Sequence, residues 1–326
     1  MIKNLVVRQY LSSDFEPWNA FVNRAKNATF LFDRNFMEHH EQKFSDFSLI
    51  IQSGDSWKAI LPANRAGERV HSHQFLSYGG LLFADGIKQI EVIEVLKKVL
   101  FFLENQGVKW LRLKVIPTIY CSKPADDLVY ALWIAHGQLI GRNCLKVLDL
   151  KQNFRITKTR KEAIRCGAKN SLEIREETDF EGFWNQILTP NMQRRHGVQP
   201  VHSLDEIVFL QSKFPSNIRQ FNVYHNNDLV AGTTIFVTKN VVHPQHISAL
   251  ENRSQLGSID FLYHHLLTNV FADCHFFDFG SSNQAFDKTL DANLIFWKES
   301  FGTSSVVQDC YEVETKNHVL MNNYLV

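Results

Sequence analysis

The chain has 326 residues, 44% hydrophobic and 21% charged with 26 Phe, the composition of a folded globular protein with room for two ordinary domains. A formal net charge of +1 excludes a general attraction to nucleic acid or an anionic membrane, so any basic patch has to be local. No apolar run approaches the roughly 20 residues that a membrane-spanning helix needs. Residues 1–8 lack a signal peptide's apolar core, and the five cysteines are scattered without CxxC spacing. These features predict a cytoplasmic protein with reduced thiols.

In chain order, Ser13-Asp14-Phe15-Glu16-Pro17-Trp18-Asn19 follows a short apolar run and opens an amphipathic stretch. A hydroxyl residue there suits a helix cap, and acids suit the first turn. Gln42-Lys43-Phe44 leads into two strand-like runs, residues 47–52 and 57–62, joined by Ser53-Gly54-Asp55 as a hairpin. Ile90, Ile93, Leu96, Val99, Leu100 and Leu103 recur at helical spacing and stop before Gly107. Residues 110–116 read as a buried strand, followed by Trp133, Gly137 and Asn143-Cys144.

The series then returns. Thr178-Asp179-Phe180-Glu181 precedes Trp184, and Gln211-Ser212-Lys213-Phe214 precedes a second hairpin, residues 219–224 and 229–237 around His225-Asn226-Asn227-Asp228. A helix carrying Ile259, Leu262, Leu266, Leu267 and Val270 leads to a strand at 275–279, then to Trp297, Gly302 and Asp309-Cys310. Repeated echoes in one order predict a tandem duplication, residues 1–150 and 151–326, each half α/β with mixed sheets. The second half opens with a basic connecting segment, residues 151–169, carrying Arg160 and Lys161 among its cations. A solvated connecting helix is the simpler expectation for such a run.

The order of elements resembles the GNAT acyltransferase fold, and the tandem arrangement resembles its Fem-like (FemA/FemB/FemX-type) branch. The resemblance rests on residues 194–203 (Arg-Arg-His-Gly-Val-Gln-Pro-Val-His-Ser), Phe277-Asp278-Phe279-Gly280-Ser281, and Trp297-Lys298-Glu299-Ser300-Phe301-Gly302. It covers nearly the whole chain, without room for the helical-hairpin insertion of some peptidoglycan-bridge members. It implies an acyltransferase that forms an amide on an amine acceptor, an N-acetyltransferase-like enzyme acting on an amino sugar or peptide precursor of the bacterial cell envelope. The donor implied is acyl-CoA, namely acetyl-CoA. Two other readings stay open: an aminoacyl-tRNA-dependent transferase, and a non-catalytic binding protein on the same scaffold.

Acyl transfer to an amine requires loss of a proton from the amine, donors for the developing oxyanion, and neutralisation of the leaving group. A GNAT fold meets part of this with a splayed strand and with the next helix N-terminus, where pyrophosphate binds. Here the strand is expected near residues 246–250, the loop at 251–257 and the helix from Ser258, which makes His246, Arg253, Gly257 and Ser258 donor-binding candidates. Arg253-Ser254-Gln255-Leu256-Gly257-Ser258 is one residue longer than the acyl-CoA loop pattern and ends in Ser. The resemblance gives Lys298 a charge-stabilising role. Asp278, embedded among aromatic residues, is either a base or a cap for the turn after its strand.

Arg195 and His196, in the loop resembling the family block, are candidates to bind the acceptor, with Arg160 and Lys161 as a cationic rim for a phosphate or a tRNA acceptor end. The first-half counterparts, Ala84-Asp85-Gly86, Lys114 and Ile134, differ, and Asp85 at a helix start repels an anionic donor. The donor is therefore expected against the second half. Fourteen histidines raise the question of a metal, yet there is no HExxH or cysteine ligand set. His39-His40 and His264-His265 are adjacent on helices, and His243 and His246, three apart in a strand, are expected on opposite faces. No metal site is predicted.

Overall fold

The computed structural model describes residues 4–38, 45–283 and 288–324. They fall into two compact units, one drawn from Met1–Asn143, Ala285–Lys288 and Val307–Val326, the other from Cys144–Gln284 and Thr289–Val306. Two of the boundaries, after Asn143 and after Val306, lie inside strands, and the expected division at residue 150 falls just past the end of the first of these. The echo Gln42-Lys43-Phe44 and the pair His39-His40 lie outside the described residues.

The first unit begins with β1 (Leu5–Gln9), α1 (Phe15–Arg24), α2 (Arg34–Met37), β2 (Ser45–Asp46), β3 (Leu49–Ser53) and β4 (Ser56–Leu61). It continues through β5 (Asn64–Ala66), β6 (Arg69–His71), β7 (Leu82–Phe83), α3 (Gln89–Asn105), β8 (Trp110–Lys114) and α4 (Asp127–Ile134). β9 (Gln138–Asp149) leads into the second unit, which has α5 (Lys158–Lys169), β10 (Glu173–Glu177) and α6 (Glu181–Phe183). A π-helical turn at Trp184–Leu188 precedes α7 (Thr189–His196), α8 (Leu204–Lys213), β11 (Ile218–His225), β12 (Asp228–Val237) and β13 (Val241–Ala249). Then come α9 (Arg253–Leu256), α10 (Ser258–His265), β14 (Phe276–Ser281), α11 (Ala292–Glu299) and β15 (Ser304–Glu314).

In the first unit β1, β3, β4 and β7 form one antiparallel sheet. A second ladder runs from β15 through β8, β6 and β5 to β2, with β6 and β8 parallel. The apolar stripe of α3, including Ile93, Leu96, Val99, Leu100 and Leu103, is buried in a core shared with Leu111, Leu113 and Val313. Ile134 packs on that core, whereas Trp133 is 71% exposed.

In the second unit β10, β11, β12 and β13 are antiparallel, β14 runs parallel to β13, and residues 145–149 of β9 close the other side of β14. Asn226 and Asn227, with φ of 51° and 70°, turn the β11–β12 hairpin, the left-handed backbone that such a tight turn requires. Phe221, Val223, Ala231, Ile235 and Val242 face a core built with Leu262 and Tyr263 of α10 and Leu266 just after it. Ser203 and Glu206 start α8 as a capping box. Among the described residues, no helix is long and apolar enough to cross a membrane.

Candidate functional site

β13 and β14 pair at only two positions, Val241 with Phe276 and Val242 with Phe277, and then part. Beyond that point β13 carries a bulge: Thr234 faces His246 while Ile235 faces Pro244, so Gln245 has no opposite number on β12. The extra residue resets the alternation. His243 pairs with Phe236 and His246 with Thr234, two positions on one face of β12, so both histidines project from the same face. This corrects the expectation of opposite faces. Among the described residues, no group of three His, Cys, Asp or Glu is placed to hold a metal.

β14 also kinks. Its register with β9 shifts between Asp278 and Ser281, with Gly280 at φ 75°. Asp278, 2% exposed, accepts the Gly280 N–H at 2.7 Å through Oδ1, so its carboxylate caps this turn. Its carbonyl accepts from His243 Nδ1 at 2.9 Å, which ties the two parting strands together.

Lys298 closes the cluster from α11. That helix inverts the usual rule of burial: Phe296 is 64% exposed while Lys298 is 3% exposed. The lysine is therefore not a solvated helix residue. Its Nζ donates to the carbonyls of Gly280 at 2.9 Å and Ser281 at 2.7 Å. An ammonium has three hydrogens, so one remains for another acceptor. Burial pulls the amine down to about 8, against a partial opposing effect from Asp278 and Asp291.

The face that bears His246 mixes polar side chains with the rings of Phe236 and Trp184. His246 Nε2 lies 3.2 Å from His202 Nδ1, and its ring packs edge-on against Trp184 with centroids 4.7 Å apart. Burial drives the His246 imidazole down to about 3, so it is neutral. Trp184 Nε1 donates to Thr234 Oγ1, which donates to Gln220 Oε1; Gln220 in turn donates to Asn222, and Asn222 to Glu177. Gln245 Oε1, at the bulge, is a buried acceptor with no hydrogen-bond donor among the described residues.

The other candidates are placed elsewhere. Gly257, at φ 68°, lies against α5: a β-carbon there would stand 2.4 Å from Ala163 O and 2.9 Å from Gly167 N. Its N–H donates back to Arg253 O at 2.8 Å. Ser258 is fully buried, Arg253 is exposed, and Asp260 occupies the first turn of α10. At this turn the glycine amide is already used, backbone of α5 stands beside the glycine, and the acid of the first turn is paired with Arg160. The same acid removes the contrast drawn from Asp85, whose carboxylate pairs with Lys123 at 2.7 Å on the surface.

Arg160 is not a rim residue. Its Nη1 pairs with Asp260 Oδ1 at 2.5 Å, its Nε donates to Ser300 Oγ at 2.8 Å, and its guanidinium lies 5.4 Å from the Phe301 ring centroid. Asp260 also accepts from Trp297 Nε1 at 2.8 Å. Lys161 and Arg195 are exposed, and the side chain of His196 lies outside the described residues. Neighbouring Arg194 pairs with Glu251 at 2.6 Å.

Sequence reasoning thus reached Lys298, Asp278 and His246 but passed over His243, Gln245, His202 and Glu177. Only the polar spacing Gln220, Asn222 and Thr234 in otherwise apolar strands signalled that one sheet face carries polar contacts.

No family model and no curated protein matches the sequence. Solved structures do. The crystal structure of FemX aligns over 95% of this chain and 98% of its own, at a TM-score of 0.65 and 10% identity. L-PGS from Bacillus licheniformis aligns over 84% of this chain and 90% of its own, at 0.56 and 12%. A tandem GNAT protein from the clavulanic acid biosynthesis pathway aligns over 96% and 99%, at 0.50 and 10%. The chain has the Fem-like fold, two GNAT-type α/β halves in tandem.

Proposed function

We propose that the chain is an acyltransferase that forms an amide on an amine acceptor at the parting of β13 and β14. The observation that carries this reading is Lys298: a buried ammonium fixed by two backbone carbonyls beside a strand opening, with one hydrogen unassigned. In the reaction the amine nitrogen bonds to the acyl carbon, and the bond from that carbon to the leaving sulfur or oxygen breaks. The proton lost by the amine ends on the leaving group. Lys298 would donate to the oxygen that gains negative charge, where a preorganised cation in a dry site is most effective. His243, whose Nδ1 is held by the Asp278 carbonyl, has a second ring nitrogen that would accept the amine proton and pass it to the leaving group.

The packing of Gly257 against α5 favours an ester donor, an aminoacyl group on tRNA, over acyl-CoA. The acceptor class, an amino sugar or peptide amine of an envelope precursor, rests on resemblance to the Fem-like family. Thermal shift with acetyl-CoA and with bulk charged tRNA separates the donors, since a ligand at a hundredfold excess over its Kd adds about 2.7 kcal/mol. Stabilisation by charged tRNA and loss of its aminoacyl label to added amine acceptors support the reading. Saturable stabilisation by acetyl-CoA overturns the choice of donor, and no label transfer from either donor overturns acyl transfer itself.

A further inference from the structure

The second ladder of the first unit has two chemically distinct faces. Val70, Leu111, Leu113 and Val313 enter the apolar core. The alternate residues lie together on the other face: the register sets His71 beside Arg112, Arg112 beside Glu312, and Lys114 beside Cys310. That face lines a cavity of 270 Å³, closed on another side by Gln74 and its neighbours in the loop after β6. The loop is pinned at its neck, where Ser72 N donates to Arg112 O at 2.8 Å and Gly79 N to Lys114 O at 2.6 Å. A β-carbon at Gly79 would stand 2.1 Å from Ser72 O, so only glycine lets the two ends meet.

The two charged residues that line this cavity, Arg112 and Lys114, are both cationic. Glu312 Oε1 accepts from Arg69 Nε at 2.8 Å and from Arg112 Nε and Nη2 at 3.0 and 2.8 Å, one carboxylate serving two guanidiniums. Lys114 has no carboxylate partner among the described residues. Its Nζ donates to the Leu76 carbonyl at 2.5 Å, and burial pulls the amine down. The Cys310 thiol opposite is pushed up by burial and stays neutral. Burial also holds His71 and His73 at about 4, so both imidazoles are neutral. A partly desolvated ammonium without a counter-charge is costly, and a bound anion removes that cost.

We propose that this cavity binds a phosphoryl dianion, as inorganic phosphate or a phosphate monoester, with Lys114 and Arg112 as its cationic ligands and His71 as a neutral donor. Arg112 and Lys114 line the cavity with no carboxylate among its lining residues, and Glu312 is already shared between Arg69 and Arg112. The proposal uses none of the residues around Lys298 and stands apart from acyl transfer.

Titration of the full chain with inorganic phosphate at constant ionic strength tests it, followed by the histidine ring resonances with His71 assigned through His71→Gln. The expected result is a saturable shift of the His71 signal and a rise in Tm that matched chloride does not give. Lys114→Met should weaken phosphate binding at least tenfold while retaining the fold. Unchanged affinity in Lys114→Met overturns the site, and an equal response to acetate overturns its assignment to a phosphoryl group. If Lys114→Met fails to fold, the wild-type titration decides alone: a response that is linear or shared with chloride overturns the proposal.

Discussion

The ammonium of Lys298 lies 2.9 Å from the carbonyl of Gly280, a contact that joins α11 to the kink of β14 where that strand leaves β13. Removing it takes away both the positive charge and the tie. Lys298→Ala is expected to lower the rate of acyl transfer by about a hundredfold, the scale of losing one preorganised donor. Lys298→Met keeps most of the volume and should lose a similar amount. Rates normalised to the folded fraction check this, and a Lys298→Met rate within threefold of wild type would remove the lysine from the chemistry.

The same burial makes stability depend on pH. The folded protein holds Lys298 at about 8, against 10.5 for an ordinary lysine, so between these values the unfolded chain binds more protons. Stability therefore rises with pH across that window. Below it both states are protonated and the full penalty applies, about 3 kcal/mol from the displacement. Lys298→Met should gain most over wild type at pH 7 and lose that advantage by pH 10.5. Urea midpoints of the two proteins across this range provide the check, and parallel curves would contradict it.

Arg160 and Lys161 are neighbours with different surroundings. The Arg160 and Asp260 side chains are 12% and 14% exposed, so Arg160→Ala leaves a largely buried carboxylate without its cation. A loss of roughly 3 kcal/mol is expected from breaking such a pair. Lys161→Ala, on the exposed side of α5, should stay within about 0.5 kcal/mol of wild type. Denaturant titrations of the two single variants distinguish them. Equal small effects would restore Arg160 to the role of a solvated cation.

Much of the architecture was readable because local patterns repeat. The apolar spacing of α3 gave its buried stripe, and Asn226-Asn227 between two apolar runs gave the β11–β12 hairpin. The site was less legible. A single inserted residue at Gln245 moved His243 and His246 onto one face, and spacing counts cannot detect a bulge. Nothing in the basic run showed that Asp260, far along the chain, would neutralise Arg160. Lys298 stood out through its apolar counterpart Ile134 and through resemblance, not through pattern, since its helix exposes Phe296 and buries the charge, the reverse of what hydrophobicity predicts.

The turn before α10 offers the sharpest contrast between packing and ligand binding. A β-carbon on Gly167 would stand 2.5 Å from the Phe261 β-carbon, and one on Gly257 would stand 2.4 Å from the Ala163 carbonyl. Both glycines allow α5 and α10 to approach, and a methyl group at either forces the helices apart. Gly167→Ala should cost about 1–3 kcal/mol, the range for overpacking a tight contact. Gly257→Ala should cost more, because φ 68° adds a strained backbone to the same collision. Gly197→Ala isolates the backbone effect: φ is 67°, but nothing lies within 4 Å of the added carbon, so about 1 kcal/mol is expected. Thermal melts of the three variants should rank Gly257→Ala as the least stable and Gly197→Ala as the mildest of the positive-φ pair. A donor cradle at this turn predicts a different outcome, in which Gly257→Ala melts like wild type and loses only donor affinity, and that result would return acyl-CoA to the α10 N-terminus.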